Sequence, residues 1–153
     1  MVTAKLRHGA WVVVCSGGKA LFLENKGDEK FPNLQTRNVH QHANALTHEQ
    51  GADAPGRVFA SVGTNRSAVE QTDWHEESER AFLRGIARHI NEAVAAGLVK
   101  SIFLVAPPRA LGILRDELSR PAREALEAEL DRDFTNLPNY EIEKRLVEAI
   151  TKP

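Results

Sequence analysis

The turn Ala106-Pro107-Pro108-Arg109 carries residue types that are suited to binding an anion. It follows an apolar run, Ser101 to Ala106, and the two prolines stiffen the chain as it leaves that run. Arg109 then begins a helical pattern, so its guanidinium and the free amides of a helix start could hold a carboxylate or phosphate. The alternative is a rigid turn with a solvated arginine. Because ligands of α/β sheets tend to bind at the carboxyl ends of strands, this turn is the best candidate position for a binding site.

A second polar segment, Gly63 to Glu76, precedes another helical pattern. Asp73, His75 and Glu79 are residue types that bind metals, and His75 could also serve as a general acid or base. Acidic residues at a helix start more often cap its amides and offset its dipole, and we favour that interpretation for Asp73. We therefore predict no metal, no cofactor and no catalytic set. The predicted binding residues are Arg66, Asp73, His75, Pro107, Pro108 and Arg109.

Other motifs that suggest chemistry have simpler structural explanations. Gly17-Gly18 lacks the spacing of a phosphate-binding loop and predicts a hairpin turn. Cys15 lies in an apolar run, where we expect a small buried hydrophobic residue and no nucleophile. His40 and His42 would share one face of a strand, a spacing that suits metal binding or a pH response, but no third ligand is in view and we favour an exposed edge. An enzyme is therefore the less favoured interpretation.

Composition predicts one domain over residues 1–153 and excludes some partners. With 20 basic and 21 acidic residues the net charge is −1, so binding to RNA would require a local arginine patch. No apolar run approaches the roughly 20 residues that cross a bilayer, and none near the N-terminus fits a signal peptide. These observations, together with a single cysteine, predict a cytoplasmic protein without membrane insertion.

Hydrophobic periodicity and turn residues predict three strands, then helices that alternate with strands. Residues 43–75 hold little periodicity, and we expect a long connection there. Gly97 is expected to end the helix before it, and Asn139 to cap the last helix. The predicted strands are Trp11–Cys15, Ala20–Glu24, a third within Phe31–His40, Ser101–Ala106 and Ala128–Phe134; the predicted helices are Glu76–Ala96, Pro108–Leu118, a short one at Pro121, and one from Asn139.

The order β-β-β-α-β-α-β-α predicts an α/β fold, a mixed five-stranded sheet of the ribonuclease H-like type with helices on both faces. Nucleases of that fold hold two metal ions with carboxylates on the first strand, on the first helix and at the end of the fourth strand. Here the first strand offers Cys15 and the fourth ends in Ala106-Pro107-Pro108, so two of those places carry no charge. We therefore expect the fold without the metal-dependent nuclease mechanism.

Several motifs together resemble the bacterial host attachment protein family over roughly residues 9 to 150. They are Trp11-Val12-Val13-Val14 with its glycine turn, Gly56 to Gly63, Thr72-Asp73-Trp74-His75, Val105 to Gly112, and Asp133-Phe134-Thr135. The family is named for proteins that bacteria require to attach to host cells, and it is similar to the middle domain of archaeal and eukaryotic release factors, which has the ribonuclease H-like topology. The resemblance implies a binding or regulatory domain with an indirect role in cell adhesion.

Two alternatives to that function stay open from the sequence. The likeness to release factors implies a translation-associated factor that contacts ribosomal RNA, for which binding would depend strongly on salt. A binder or enzyme for a small anionic ligand would use Arg109 as an anchor and His75 as an acid or base. The partner is therefore expected to be a protein or an RNA, with a small anion as the third possibility.

Overall fold

The computed structural model describes residues 4–41 and 56–151, with side chains for 4–41 and 75–151. These parts of the chain form five strands and four helices. In chain order they are β1 (Trp11–Cys15), β2 (Lys19–Asn25), β3 (Leu34–Gln41), α1 (Gly56–Ala95), β4 (Ile102–Val105), α2 (Pro108–Glu117), α3 (Arg120–Ala125), β5 (Leu126–Leu130) and α4 (Asn139–Thr151).

The five strands form one mixed sheet in the order β3-β2-β1-β4-β5. The pairs β1–β2 and β2–β3 are antiparallel, whereas β1–β4 and β4–β5 are parallel. β1 lies at the centre, and all five of its residues are buried, as expected for a strand covered on both faces. The predicted mixed five-stranded sheet is confirmed.

Alternation along β1 divides the core between two faces of the sheet. Trp11, Val13 and Cys15 point to the face that packs against α1, α2 and α3. Val12 and Val14 point to the other face and pack with residues of α4. Helices therefore cover both faces. Each face of the sheet has its own buried apolar cluster.

The C-terminal half of α1 forms because its apolar residues recur at helical spacing. Leu83, Ile86 and Ile90 are fully or almost fully buried against the sheet. The helix ends at a glycine with a positive φ of 76°, where the Gly97 amide donates to the Val94 carbonyl and the Leu98 amide donates to the Ala93 carbonyl. This pair of hydrogen bonds is a Schellman motif. The expectation that Gly97 ends the helix is confirmed.

The start of α1 corrects the sequence-based prediction. The helix begins at Gly56, so residues 56–75 are helical where a connection was expected, and Asp73 lies inside the helix. Neither the cap by Asp73 nor an acidic first turn exists at the start of α1. Periodicity misled us because residues 56–75 carry no regular apolar stripe, while no proline interrupts the chain between Gly56 and Ala95. Residues 42–55, the rest of the predicted connection, lie outside the described residues.

Two further boundaries differ from those expected. β5 covers Leu126–Leu130 rather than Ala128–Phe134, because α3 passes directly into the strand and Phe134 is buried beyond it. Asn139 is the first residue of α4, and its side chain donates to Thr36 Oγ1 of β3 at 3.0 Å, where we expected it to accept from the helix amides. The short helix at Pro121 and the helix from Pro108 are confirmed.

Asn25 at the end of β2 organises the loops at that end of the sheet. Its buried amide nitrogen donates to the carbonyls of Leu6, Arg7 and Asp28, at 3.1, 3.0 and 3.3 Å. Its side-chain oxygen accepts from the amides of Gly27 and Asn33, at 2.9 and 2.8 Å. One buried polar side chain therefore satisfies five backbone groups, which ties the segment before β1 to the turn before β3.

Candidate functional site

Four of the predicted site residues, His75, Pro107, Pro108 and Arg109, lie at one edge of the sheet, where β1 and β4 end side by side. The two strands are parallel, and Val14 pairs with Val105. The turn after β1 and the turn after β4 therefore leave the sheet at the same edge. We call the residues gathered there the β1–β4 edge surface; they are Gly17, His75, Glu76, Glu79, Pro107, Pro108 and Arg109.

Gly17 allows α1 to approach the turn after β1. A Cβ atom on this residue would lie 2.5 Å from Oε1 of Glu79. The absence of a side chain therefore leaves room for the Glu79 carboxylate, which is half-buried. The turn is closed by a hydrogen bond from the Ser16 amide to the Lys19 carbonyl, 2.8 Å long. This finding confirms a hairpin turn at Gly17-Gly18.

Pro107 and Pro108 fix the path from β4 into α2. Pro107 has φ −59° and ψ 157°, and its carbonyl accepts the first helical hydrogen bond from Leu111 at 2.9 Å. Pro108 follows as the first residue of α2, where the missing amide costs nothing and φ already suits the helix. No described side chain caps the first turn of α2. Its first-turn amides are therefore able to donate hydrogen bonds to a carboxylate from outside the chain.

Arg109 is paired with a carboxylate of α1. Its Nη1 atom lies 3.6 Å from Oε1 of Glu76, and both side chains are about half exposed, 51% and 50%. His75, the residue before Glu76, is also exposed. The structure therefore brings His75 and Arg109 to one surface through Glu76, which the sequence had not singled out. A small anion at Arg109 would have to compete with the Glu76 carboxylate.

Arg66 and Asp73 are placed by their backbone alone. Both belong to α1, and their side chains lie outside those described. Asp73 is two residues before His75. Arg66 is nine residues before His75, which corresponds to about 14 Å along a helix axis. The backbone therefore places Asp73 close to the β1–β4 edge surface and Arg66 farther along the helix. The binding roles given to both residues stay predictions.

The described residues offer little for metal or nucleophilic chemistry. In residues 4–41 and 75–151, no three side chains of histidine, cysteine, aspartate or glutamate converge as metal ligands. Cys15 is fully buried, and desolvation raises the pKa of its thiol from 9.0 to about 12. The thiol therefore stays protonated and acts as the small buried hydrophobic residue that was expected.

A cluster that the sequence did not reveal lies between β3 and the end of α1. His40 is half-buried, and its ring stacks on that of His89 with centroids 4.6 Å apart. The ring of Phe22 meets both imidazoles edge to face, at 5.4 and 6.4 Å. β3 is an edge strand with mostly exposed residues, as expected, but this stack leaves His40 itself half-buried. His42 lies outside the described residues. Strand alternation places His40 on the face of Phe22, but nothing in the sequence indicated that α1 would bring His89 there.

A protein-family profile described as "Protein required for attachment to host cells" matches residues 11–146. The match covers most of the chain, from the first residue of β1 to the middle of α4. The chain belongs to this host attachment family. No individually curated protein matches it.

The family match includes every element that builds the β1–β4 edge surface, since β1, α1, β4 and α2 all lie within residues 11–146. Membership in the host attachment family suggests a role in attachment to host cells. Of the helices in the described parts of the chain, none has both the length and the apolar character that crossing a bilayer requires.

Proposed function

We propose that this member of the host attachment family is a non-enzymatic binding domain. It would act from the cytoplasm by holding a protein partner at the β1–β4 edge surface, and so would support attachment indirectly. The ion pair between Arg109 and Glu76 carries this proposal. A basic and an acidic group stand side by side and half exposed, beside prolines that fix the backbone.

The mixed charge of this surface favours a protein over a small anion. A ligand phosphate near Arg109 would be repelled by Glu76 and would lose part of its attraction to the guanidinium. A partner protein can present a carboxylate to Arg109 and a cation to Glu76 in the same encounter. Such reciprocal pairs specify a partner and its orientation more than they add affinity.

The charges on α1 also favour a protein partner over RNA. Arg80, Arg84 and Arg88 are exposed at intervals of four residues, but Glu76, Glu77 and Glu92 are exposed along the same helix. Arg84 also pairs with Glu117 of α2, with Nε and Oε2 3.7 Å apart. Because glutamates lie at both ends of this row and Arg84 is paired, the row is too short to be the continuous positive stripe that a phosphate backbone requires.

The sheet order supports a more specific fold assignment within this proposal. The order β3-β2-β1-β4-β5, with three antiparallel strands followed by parallel neighbours, is the one expected for the ribonuclease H-like arrangement. It is also the basis for the proposed relation to the middle domain of release factors. The translation-associated alternative rests on this likeness of fold, and RNA binding that weakens steeply with salt would support it.

Complementation of attachment tests the proposal. A strain that lacks the gene would receive the wild-type chain, Arg109→Ala, or Arg120→Ala. Arg120 is a matched control because it also begins a helix and pairs with a glutamate, Glu124, at 3.4 Å. We expect Arg109→Ala to lower attachment and Arg120→Ala to restore it, at equal protein levels. Full attachment with Arg109→Ala would contradict the proposal, and recovery of the chain with the secreted or outer-membrane fraction would contradict its cytoplasmic location.

A further inference from the structure

A cleft of about 370 Å³ lies between the sheet and the C-terminal half of α1. We call it the β3–α1 cleft; its main lining residues are Trp11, Phe22, Arg37, His40, His89 and Leu98. The volume falls within the range of small-molecule sites in proteins. The cleft is separate from the β1–β4 edge surface and has no part in the function proposed above.

Aromatic rings form the floor of this cleft, and an exposed leucine lies at its rim. Trp11 and Phe22 meet edge to face, with ring centroids 6.1 Å apart and planes at 86°. Both residues are almost completely buried, so they hold the floor in place. Leu98, just beyond α1, is 64% exposed at the rim. A bound apolar ring would cover this leucine and gain free energy from the area removed from water.

The polar groups of the cleft are mainly basic. Arg37 lies over Trp11, with its guanidinium carbon 4.6 Å from the ring centroid. Its Nη1 atom donates to Glu24 Oε1 at 2.7 Å, which fixes the side chain while its other nitrogens keep further N–H donors. His40 and His89 supply two imidazoles that become cations on protonation. Glu92 is the acidic residue among those that line the cleft.

From this arrangement we propose that the β3–α1 cleft binds a small aromatic carboxylate. The ring packs against the aromatic floor and Leu98, and the carboxylate accepts hydrogen bonds from Arg37 and from the paired imidazoles. Two imidazoles stacked at 4.6 Å repel each other when both carry a proton. A carboxylate between Arg37 and the histidines compensates that charge, so ligand binding and protonation strengthen each other.

The charged and titratable groups in and beside the cleft decide the direction of this coupling. The lining supplies His89 and Glu92 on α1 and Arg37 on the same strand as His40, and Glu24 on β2 is the partner of Arg37. Glu24 is already shared by Arg37 and Lys26, which lie 2.7 and 3.3 Å from its Oε1. Among the described residues that line the cleft, Glu92 is then the acidic group that opposes the cationic ones. A proton taken up at His40 therefore makes the described part of the cleft net positive, and binding of the carboxylate is expected to tighten as the pH falls through the histidine range.

Titration of the full chain with sodium benzoate, followed through the histidine ring signals by NMR, tests this inference. Benzyl alcohol has the same ring without the charge and serves as the comparison ligand. At about pH 6, where histidine takes up a proton, we expect saturable shifts of the His40 and His89 signals and none at His8. Benzyl alcohol should bind about tenfold more weakly, since it loses the charge-assisted hydrogen bonds. Raising the pH to about 8 should weaken benzoate binding.

Variants separate a specific site from general adsorption. Arg37→Gln should weaken benzoate about tenfold. The matched control is Arg132→Gln, because Arg132 is also an exposed arginine bonded to a carboxylate, that of Asp131 at 3.0 Å. If Arg37→Gln disturbs the fold, His89→Gln tests the same point at an exposed helix residue. Equal affinity for both ligands, the absence of saturable shifts at His40 and His89, or equal loss in the control would overturn the proposal.

Discussion

The guanidinium of Arg109 lies 3.6 Å from the carboxylate of Glu76, which joins the first turn of α2 to the middle of α1. Their approach follows from the packing of α1 and α2 side by side on the same face of the sheet. Half of each side chain is exposed, so this pair is poorly placed to stabilise the fold and well placed to meet a partner.

The first prediction is that removing this ion pair barely changes stability. We expect Arg109→Ala and Glu76→Ala each to lower the free energy of unfolding by less than about 1 kcal/mol, because exposed ion pairs contribute little. Urea denaturation of both variants and of the double variant measures this. A loss several times larger would show that the pair holds α1 and α2 together, and a loss of attachment in Arg109→Ala would then have a structural cause.

The second prediction concerns the buried amide of Asn25. Replacement by alanine leaves five backbone groups without their partner, so we expect a loss of about 2–4 kcal/mol in the free energy of unfolding. Asn38→Ala is the control, because Asn38 is exposed on β3. Denaturation curves of the two variants should differ clearly in midpoint. Similar midpoints would mean that water replaces the side chain of Asn25 without cost.

The third prediction compares a glycine within α1 with the glycine just beyond its end. Gly97 has φ 76°, a conformation that strains other residues, so Gly97→Ala should lower the free energy of unfolding by about 1 kcal/mol. Gly85 lies within α1, and a Cβ there meets nothing within 4 Å. Gly85→Ala should therefore raise stability by about 0.5–1 kcal/mol. Thermal unfolding of both variants gives the two signs, and the same sign for both would contradict the helix ending described.

The fourth prediction is a dependence of stability on pH through His40. Burial lowers the pKa of this histidine, and the nearby His89 lowers it further. The unfolded chain therefore binds the proton more readily, so stability should be constant above the ordinary histidine pKa of 6.5 and fall as the pH drops below it.

Comparison of urea midpoints for the wild type and His40→Gln over the weakly acidic range measures this dependence. The variant should lack the part of the acid loss that begins near the histidine pKa. Glu24 also has a shifted pKa, but its effect on stability falls at a lower pH than that of His40. Burial acts to raise the pKa of Glu24, but hydrogen bonds and charges from Arg37 and Lys26 outweigh burial and leave it below its ordinary value. If the two proteins lose stability in parallel, His40 is not the responsible group.

Sequence patterns predicted the central strands of the sheet well because each of them has a clear local signal. β1 and β4 are short apolar runs bounded by glycine or proline, and their parallel pairing follows from the handedness of crossover connections. The turn at Pro107-Pro108 could be predicted for the same reason. Each of these features depends on residues that are neighbours in the chain.

Features that depend on distant parts of the chain escaped prediction. The stacking of His40 on His89 depends on where α1 packs over the sheet, and no pattern in the local sequence indicates that position. The pairing of Arg109 with Glu76 likewise depends on how α2 sits against α1. Residues 56–75 were misjudged for another reason, since a helix without a regular apolar stripe leaves no signal in hydrophobic periodicity.

The hydrogen bonds that α4 makes to the start of β3 affect how readily one molecule can aggregate with another. Glu143 Oε1 accepts a hydrogen bond from the backbone amide of Leu34 at 3.0 Å. The side-chain amide of Asn139 donates to the Leu34 carbonyl at 3.5 Å. A foreign strand that adds to a sheet must find such backbone groups free along the outer edge. The backbone amide and carbonyl of Leu34 are already bonded to side chains of α4. A strand of another molecule therefore cannot pair with the start of β3 easily, and aggregation by strand addition is disfavoured there.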